Sequence, residues 1–184
     1  YPYTGYMATA ADGSRSGYAY ETLQDMAKYE NLNYEYLGYD CDVNEIMDML
    51  ENGEVDIVPM LRKTPEREER FDFSAEPISN IATMLTVKAG NRSIVAGDYS
   101  TGNSRNDSFK AYAEEHGFRY TPVYYDTDEE LSSALRSGEI TAAVSNRMRQ
   151  TKNEWIIDTF DVQDSYIAVR KGDAPTLRLV NNAI

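Results

Sequence analysis

Apolar positions recur along the chain with two periods, and the places where one period gives way to the other mark out the elements. Leu23, Met26 and Ala27 share one face of a helix expected over about 20–31. The run NYEYLGY at 33–39 alternates and predicts a strand. Asp42 with Glu45 three residues on has the form of a capping box, and Val43, Ile46, Met47 and Leu50 make an apolar stripe. Gly53 then stands where a helix C-cap belongs. VDIVPML at 55–61 follows directly as a buried strand.

This unit occurs twice. The segment beginning at Asp42 aligns without a gap with the one beginning at Thr127: Glu45 with Glu130, Ile46 with Leu131, Leu50 with Leu135, Gly53 with Gly138, Val55 with Ile140. Capped helix-to-strand units are common in any α/β protein. The spacing here, close to half the chain, nevertheless suits two similar lobes better than one sheet. Between the copies, 82–88 (ATMLTVK) reads as a strand, 89–92 as a polar connector, and 93–97 (SIVAG) as a strand, with DYST extending it or forming a loop. GNSRNDSF at 102–109 leads into a helix ending near Gly117, and 119–125 alternates as a strand. After the second copy, 166–171 (YIAVRK) is a strand, and PTLRLVNNAI begins a helix. Strands alternating with helices predict an α/β class with mostly parallel sheets. Ligands then sit at the carboxyl ends of strands and in the space between lobes.

Composition narrows the partners. The 184 residues carry 18 Lys plus Arg against 31 Asp plus Glu, a net charge of −13, which argues against nucleic acid and anionic membrane surfaces. One cysteine, Cys41, and one histidine, His116, leave no disulfide and no multi-ligand metal site, and no cofactor is implied. No apolar run is long enough to cross a bilayer, and no signal segment opens the chain, so direct membrane insertion by these residues is not expected. The chain opens inside an aromatic cluster and stops in a helical pattern, and so reads as a piece of something longer. Fifteen tyrosines are present, nine of them before residue 40. Most suit half-buried packing positions, with Tyr3 and Tyr6 open as a ligand-contacting wall.

Chemistry concentrates in MLRKTPEREERFDFS at 60–74. Thr64 suits a helix N-cap and Pro65 the first helical position, which puts Arg67 in the first turn beside unpaired backbone N–H groups. A helix terminus together with a guanidinium makes a receptor for a carboxylate. Arg67 either serves that receptor or pairs with Glu66, Glu68, Glu69 or Asp72. His116, before Gly117 at a helix end, suits a capping role. Cys41 suits a small apolar packing position, and Trp155 a core position. Asn91 and Asn106 stand in N-x-S/T triplets that mean little without a glycosylating host.

The order and spacing of GYAYETLQDMAKYENLNYEYLGYD, DMLENGEVDIVPM and TPEREERFDFSAEPI resemble the bacterial extracellular solute-binding proteins of the polar amino-acid type, family 3. The match covers most of 1–88 and, more loosely, the second lobe and return strand. The tyrosine-rich form and short strand-to-TPER loop look like the sensor versions of this module. The resemblance implies a two-lobed, type II periplasmic-binding-protein-like clamshell, with lobe 1 formed by 1–88 plus 167–184 and lobe 2 by 89–166. It places Arg67 on a ligand carboxylate with Thr64 beside it, makes Tyr3 and Tyr6 an aromatic clamp, and sets Gly102, Asn103 and Ser104 at a donor-rich helix N-terminus in lobe 2. Two departures bear on the ligand. Pro59, Met60 and Arg62 replace the small hydroxyl residues usual before the threonine, and Asn146 stands where an acidic residue ordinarily meets a ligand ammonium. Arg62 either joins Arg67 at the site or points away from it. The expected partner is a small polar solute, an amino acid, a dicarboxylate or an amide; a standard α-amino acid loses an ion pair at Asn146, and the two arginines together favour a more acidic or uncharged solute such as a dicarboxylate or small amide.

The resemblance implies a non-enzymatic, extracytoplasmic binding domain, anchored to the membrane through flanking sequence. Its partner would be a transmembrane output domain of the diguanylate cyclase or histidine kinase type in the same chain. The alternative is the substrate-binding protein of an ABC-type uptake transporter, with a permease as partner. A dehydratase-like enzyme of the same fold ranks below both, since no Glu or His stands at the motif positions.

Overall fold

The computed structural model describes residues 1–3, 5–90, 99–103, 106–117, 119–149 and 151–184. Through the first half of the chain run β1 (Ala8–Thr9), β2 (Arg15–Ser16), α1 (Tyr18–Glu30), α2 (Val43–Asn52), β3 (Ile57–Arg62), α3 (Pro65–Arg70), β4 (Phe71–Phe73) and β5 (Ser79–Lys88). There follow β6 (Tyr99–Asn103), α4 (Asn106–His116), β7 (Tyr120–Val123), α5 (Asp128–Ser137), β8 (Ala142–Asn146), a single 3₁₀ turn Arg147–Arg149, β9 (Glu154–Arg170) and α6 (Ala174–Ala183). They form two compact units, Tyr1–Asn80 with Gln163–Ile184, and Ile81–Val162. The boundaries fall inside β5 and β9, whereas the sequence reading put them at 88/89 and 166/167. The expected strand 93–97 and the Asn91 triplet lie outside the described residues.

In the first unit the helix that opens the repeat is built as its sequence asks. The Asp42 carboxylate accepts the N–H groups of Asn44 (2.7 Å) and Glu45 (3.0 Å), and the Glu45 carboxylate accepts the N–H of Asp42 (2.8 Å). Gly53 ends α2 at φ 77°, a left-handed conformation that costs a side chain but not a glycine. The stripe it carries, Ile46, Met47 and Leu50, packs on Val58, Leu61, Phe71 and Phe73 from β3 and β4 and on Ala168 from β9. Burying each large apolar side chain contributes about 1.5–3 kcal/mol. Both β3 and β4 pair antiparallel with the second half of β9, through Ile57↔Val169 and Phe73↔Ala168 among other partners.

The second unit repeats the device. Thr127 caps α5, accepting the Glu130 N–H at 3.2 Å while Glu130 reaches back to the Thr127 N–H at 3.1 Å, and Gly138 closes the helix at φ 86°. Leu131, Ala134, Leu135, Ile140 and Ala143 make one core cluster. Leu85, Val87, Phe109, Ala142 and Val144 make another. Here β6 lies parallel to both β7 and β8, and β8 is antiparallel to β5.

Four expectations need correcting. Parallel pairing holds for β6–β7 and β6–β8, but the described ladders of the first unit are antiparallel, because its returning strand β9 runs opposite to β3 and β4. The strand expected at 33–39 joins no ladder among the described residues: Tyr34 and Tyr36 are half-buried, Asn33, Glu35 and Leu37 are exposed, and the Gly38 carbonyl oxygen accepts the Cys41 N–H at 3.4 Å in the turn that follows. Gly102 and Asn103 end strand β6 rather than open a helix, since β6 continues through them in register with β7 and β8. Trp155 is 46% exposed and is not a core residue. His116 does close α4, its Nδ1 lying 2.9 Å from the Tyr112 carbonyl oxygen and its ring stacked 4.1 Å from that of Tyr112. Cys41 is half-buried with Sγ 3.8 Å from Met49 Sδ.

Candidate functional site

In the first unit the site grows from the carboxyl end of β3. The β3–β9 register slips between Val58 and Leu61, and Met60 in that bulge takes φ 62°, a left-handed value that a non-glycine residue holds only under constraint. Pro59 has no N–H to place in a ladder, so a bulge is where a strand tolerates it. The Met60 carbonyl oxygen accepts a hydrogen bond from the Tyr1 hydroxyl at 2.8 Å, and the Met60 side chain is only 2% exposed. Met60 therefore shapes the strand end from inside, and the expectation that it meets a ligand is not met.

Beyond the bulge, Arg62 pairs with Ser165 of β9, and the chain turns into α3. Thr64 caps that helix, its Oγ1 accepting the Arg67 N–H at 3.3 Å, with Pro65 at the first position. A helix of one and a half turns has a small dipole and spends this N–H on its cap. The anion-binding capacity expected there accordingly resides in the Arg67 side chain. Its Nη1 donates to the Arg62 carbonyl oxygen at 3.1 Å, which fixes the guanidinium against the end of β3. Burial draws the Arg67 guanidinium below its ordinary pKa. Tyr1 pushes the other way, and the neighbouring Arg62 adds to the lowering.

Among the described residues no carboxylate lies within salt-bridge distance of Arg67. Glu68 instead meets Lys63 at 3.3 Å and Asp72 meets Lys171 at 2.9 Å. Of the two readings of TPER, internal pairing of Arg67 is thus ruled out.

From Tyr1, which acts on Arg67, a chain of rings runs through the first unit: Tyr1 to Tyr3 at 6.2 Å, Tyr3 stacked on Tyr6 at 5.2 Å, Tyr6 edge-on to Tyr18 at 6.3 Å. Tyr3 is half-buried, whereas Tyr6 is 3% exposed. Tyr6 is therefore a core residue supporting Tyr3, which corrects its expected place in a clamp. Tyr18 anchors the far end through its hydroxyl, which donates to the Ile78 carbonyl oxygen at 2.9 Å.

In the second unit Gly102 and Asn103 close β6, and Asn146 closes its parallel neighbour β8, so these residues share the carboxyl edge of one sheet. That edge is where α/β sheets hold ligands. Asn146 is 8% exposed, lies opposite Thr83 of β5, and accepts the Met148 N–H on Oδ1 at 3.0 Å. Its amide nitrogen is the group this turn leaves over. Ser104 lies outside the described residues.

Sequence reading missed two supports. Tyr1 braces the β3 bulge, and nothing in the local pattern singles it out among the tyrosines. Arg149, 5% exposed, directs Nη1 and Nη2 at both oxygens of Glu154 (3.1–3.2 Å) within the loop just after Asn146. Glu154 also accepts the Thr151 N–H at 3.4 Å. A spacing of five residues matches no helical or strand period, so only the loop geometry reveals the pair. Once formed it fixes the turn that carries Asn146, since breaking a buried pair would strand a charge.

The chain matches a family model over residues 1–184, that of the bacterial extracellular solute-binding proteins, family 3. It is 25% identical over 187 residues to the L-cystine-binding protein TcyJ of Escherichia coli K12, covering 94% of this chain and 69% of that protein. An ancestral cationic amino acid solute-binding protein superposes with a TM-score of 0.83 at 22% identity, covering 98% of this chain and 83% of that one. Substrate-binding domain 2 of Lactococcus lactis GlnP does so at 0.76 and 20%, covering 99% and 84%. A substrate-binding domain of a putative amino acid ABC transporter from Streptococcus pneumoniae does so at 0.74 and 18%, covering 99% and 88%. The fold is that of type II periplasmic binding proteins, and the chain belongs to the bacterial extracellular solute-binding proteins, family 3.

Proposed function

We propose that the protein binds a small, carboxylate-bearing polar solute outside the cytoplasm, an amino acid or a close relative of one, and delivers it to an ABC-type uptake permease. The observation that carries this reading is Arg67: a half-buried guanidinium, held by the Arg62 carbonyl at the end of β3, with no carboxylate of the described residues in salt-bridge distance. Such a group offers two parallel N–H donors that match a carboxylate. Thr64 orders its turn, and Tyr3, half-buried and tilted against Tyr1, is the ring of that cluster we assign to the ligand. In the second unit, Asn146 supplies a neutral amide at the carboxyl edge of the sheet, where strand β6 also ends. The sensor role expected from the sequence yields to uptake because the relatives named above are binding proteins and transporter domains for amino acids. Binding is preferred to catalysis because the relatives named above are described as a binding protein and substrate-binding domains.

Calorimetric titration tests the reading, with ligands first found by a thermal-shift panel of cystine, other amino acids, dicarboxylates and small amides. Arg67→Ala is expected to weaken the best ligand by about 100-fold or more, and Arg67→Lys by about ten-fold or more. Lysine keeps the charge and loses the two-point geometry. Unchanged affinity in both variants would remove Arg67 from the site. Deleting the gene and measuring uptake of the same ligand separates transport from sensing: undiminished uptake with a lost transcriptional or cyclic-nucleotide response would return the sensor reading.

A further inference from the structure

One hydroxyl in the core of the second unit serves no local purpose. Thr83 of β5 is 0% exposed, and its Oγ1 has no hydrogen-bond partner among the described residues. Its place calls for an apolar residue. Ile81, Thr83, Leu85 and Val87 alternate onto one face of β5 and all four are buried, and Leu85 and Val87 belong to the core cluster of Phe109, Ala142 and Val144. Valine has the shape of threonine and would fill that place with no polar atom to satisfy. A buried hydroxyl without a partner costs stability, so its presence requires a reason.

The strand does not impose it. Thr86, three residues on, is equally buried, and its hydroxyl donates to the Ala143 carbonyl oxygen of the opposing strand at 3.3 Å. The same bond at Thr83 would use the Asn146 carbonyl oxygen, which instead accepts the Ser145 hydroxyl at 3.4 Å. Opposite Thr83 stands the Asn146 side chain. The two are direct partners in the antiparallel β5–β8 ladder, so their side chains leave the same face with Cβ atoms about 4.5–5.5 Å apart, a gap that one hydroxyl and one carboxamide span. The Asn146 backbone is held by that ladder and by the turn that the Arg149–Glu154 pair fixes. Among the described residues its side chain is held through Oδ1, by the Met148 N–H at 3.0 Å, which leaves the amide nitrogen over.

We propose that Thr83 is the positioning residue of Asn146: a turn of its χ1 lets Oγ1 accept one N–H of the Asn146 amide, which holds the carboxamide at both ends and aims the second N–H at the solute. The proposal rests on the reading of Asn146 as a solute contact. Threonine has three staggered χ1 positions, and its hydroxyl both donates and accepts, so one rotation supplies what the amide lacks. The hydroxyl that weakens the fold thereby strengthens binding.

Thr83→Val and Thr83→Ser test this, each with and without Asn146→Ala, by thermal melting and calorimetry. The probe is the member of the panel of cystine, other amino acids, dicarboxylates and small amides that raises the parent's melting temperature most. Thr83→Val is expected to melt about 2–4 °C above the parent and to bind the probe about ten-fold more weakly. Thr83→Ser, which keeps the hydroxyl, should bind within about two-fold of the parent. With Asn146→Ala present, Thr83→Val should change affinity by less than about two-fold, since the group it positions is gone. Unchanged binding in Thr83→Val, a fall in its melting temperature alongside weaker binding, or a loss that persists without Asn146 would each overturn the inference. Arg67→Ala separates this from failure of the proposed function: if it weakens the probe while Thr83→Val does not, only the positioning role falls. If neither weakens it, or if no member of the panel stabilises the parent, the proposed function falls as well.

Discussion

In the proposed site single side chains would set which solute is accepted, and Asn146 is the most informative after Arg67. Its Oδ1 is committed to the Met148 N–H, so an acidic replacement could keep that acceptor and add a charge. Asn146→Asp is expected to raise affinity for ligands with a free ammonium group by about ten-fold and to weaken dicarboxylates by a similar factor, measured by calorimetry on the two ligand classes. Equal effects on both classes would show that Asn146 does not meet the ligand's charged end. Arg67, Thr64 and Pro65 were legible in the sequence because a cap, a fixed φ and a first-turn position are local facts. That Tyr6 is core and Tyr3 is not could not be read there. Both are tyrosines in one short run, and which ring is covered depends on Asn80 and Tyr18, far along the chain.

At the scale of elements, the repeated helix was legible to its caps, since a capping box and a left-handed glycine are written into the local sequence, while the strand expected at 55–61 runs Ile57–Arg62. The two glycines invite a comparison. A Cβ at Gly138 meets nothing, whereas one at Gly53 would strike Nη1 of Arg170. Gly138→Ala is expected to cost about 1 kcal/mol through its φ alone. Gly53→Ala should cost at least as much, with the excess set by how readily Arg170 swings aside. Chemical denaturation of both variants measures the difference, and a smaller loss at Gly53 would mean that Arg170 is not held there. The segment 33–39 shows the opposite limit of sequence reading: alternation predicts an extended chain correctly but says nothing of whether a partner lies beside it. Likewise the bulge at Pro59–Met60 could not be foreseen, because a register slip is a property of two strands, here β3 and β9.

At the scale of the whole molecule, charge governs the response to acid. The Asp158 carboxylate is held below its ordinary pKa chiefly by the Tyr112 hydroxyl, which donates to it at 2.6 Å, and Asp72 chiefly by Lys171. Asp173, capping α6, is lowered by Thr176. A folded-state pKa below the unfolded one gives stability that is fully present above about pH 4 and is lost as pH falls through the folded value. Asp158→Asn should therefore reduce stability at neutral pH and flatten its decline below about pH 4. Denaturation midpoints recorded from pH 7 to pH 2 check this, and a parallel offset at every pH would contradict it. The net charge of −13 predicts only self-repulsion and solubility, and how three carboxylates are held was visible only in the structure.

The path of β9 also dictates an order of events at the ribosome. Every residue of the second unit, 81–162, has been made by the time Val162 emerges, so that unit can collapse while synthesis continues. The first unit was begun earlier yet must wait, because β3 and β4 both bind residues 165–170 and loops of about 100 residues must close to join them. Until then Val58, Leu61, Phe71 and Phe73 have no cover from Ala168, and the nascent chain carries an exposed apolar surface while residues 74–167 are being made. The first unit is begun first and closed last, and a premature stop or a protease cut just after Val162 would remove the half of β9, residues 163–170, on which it closes.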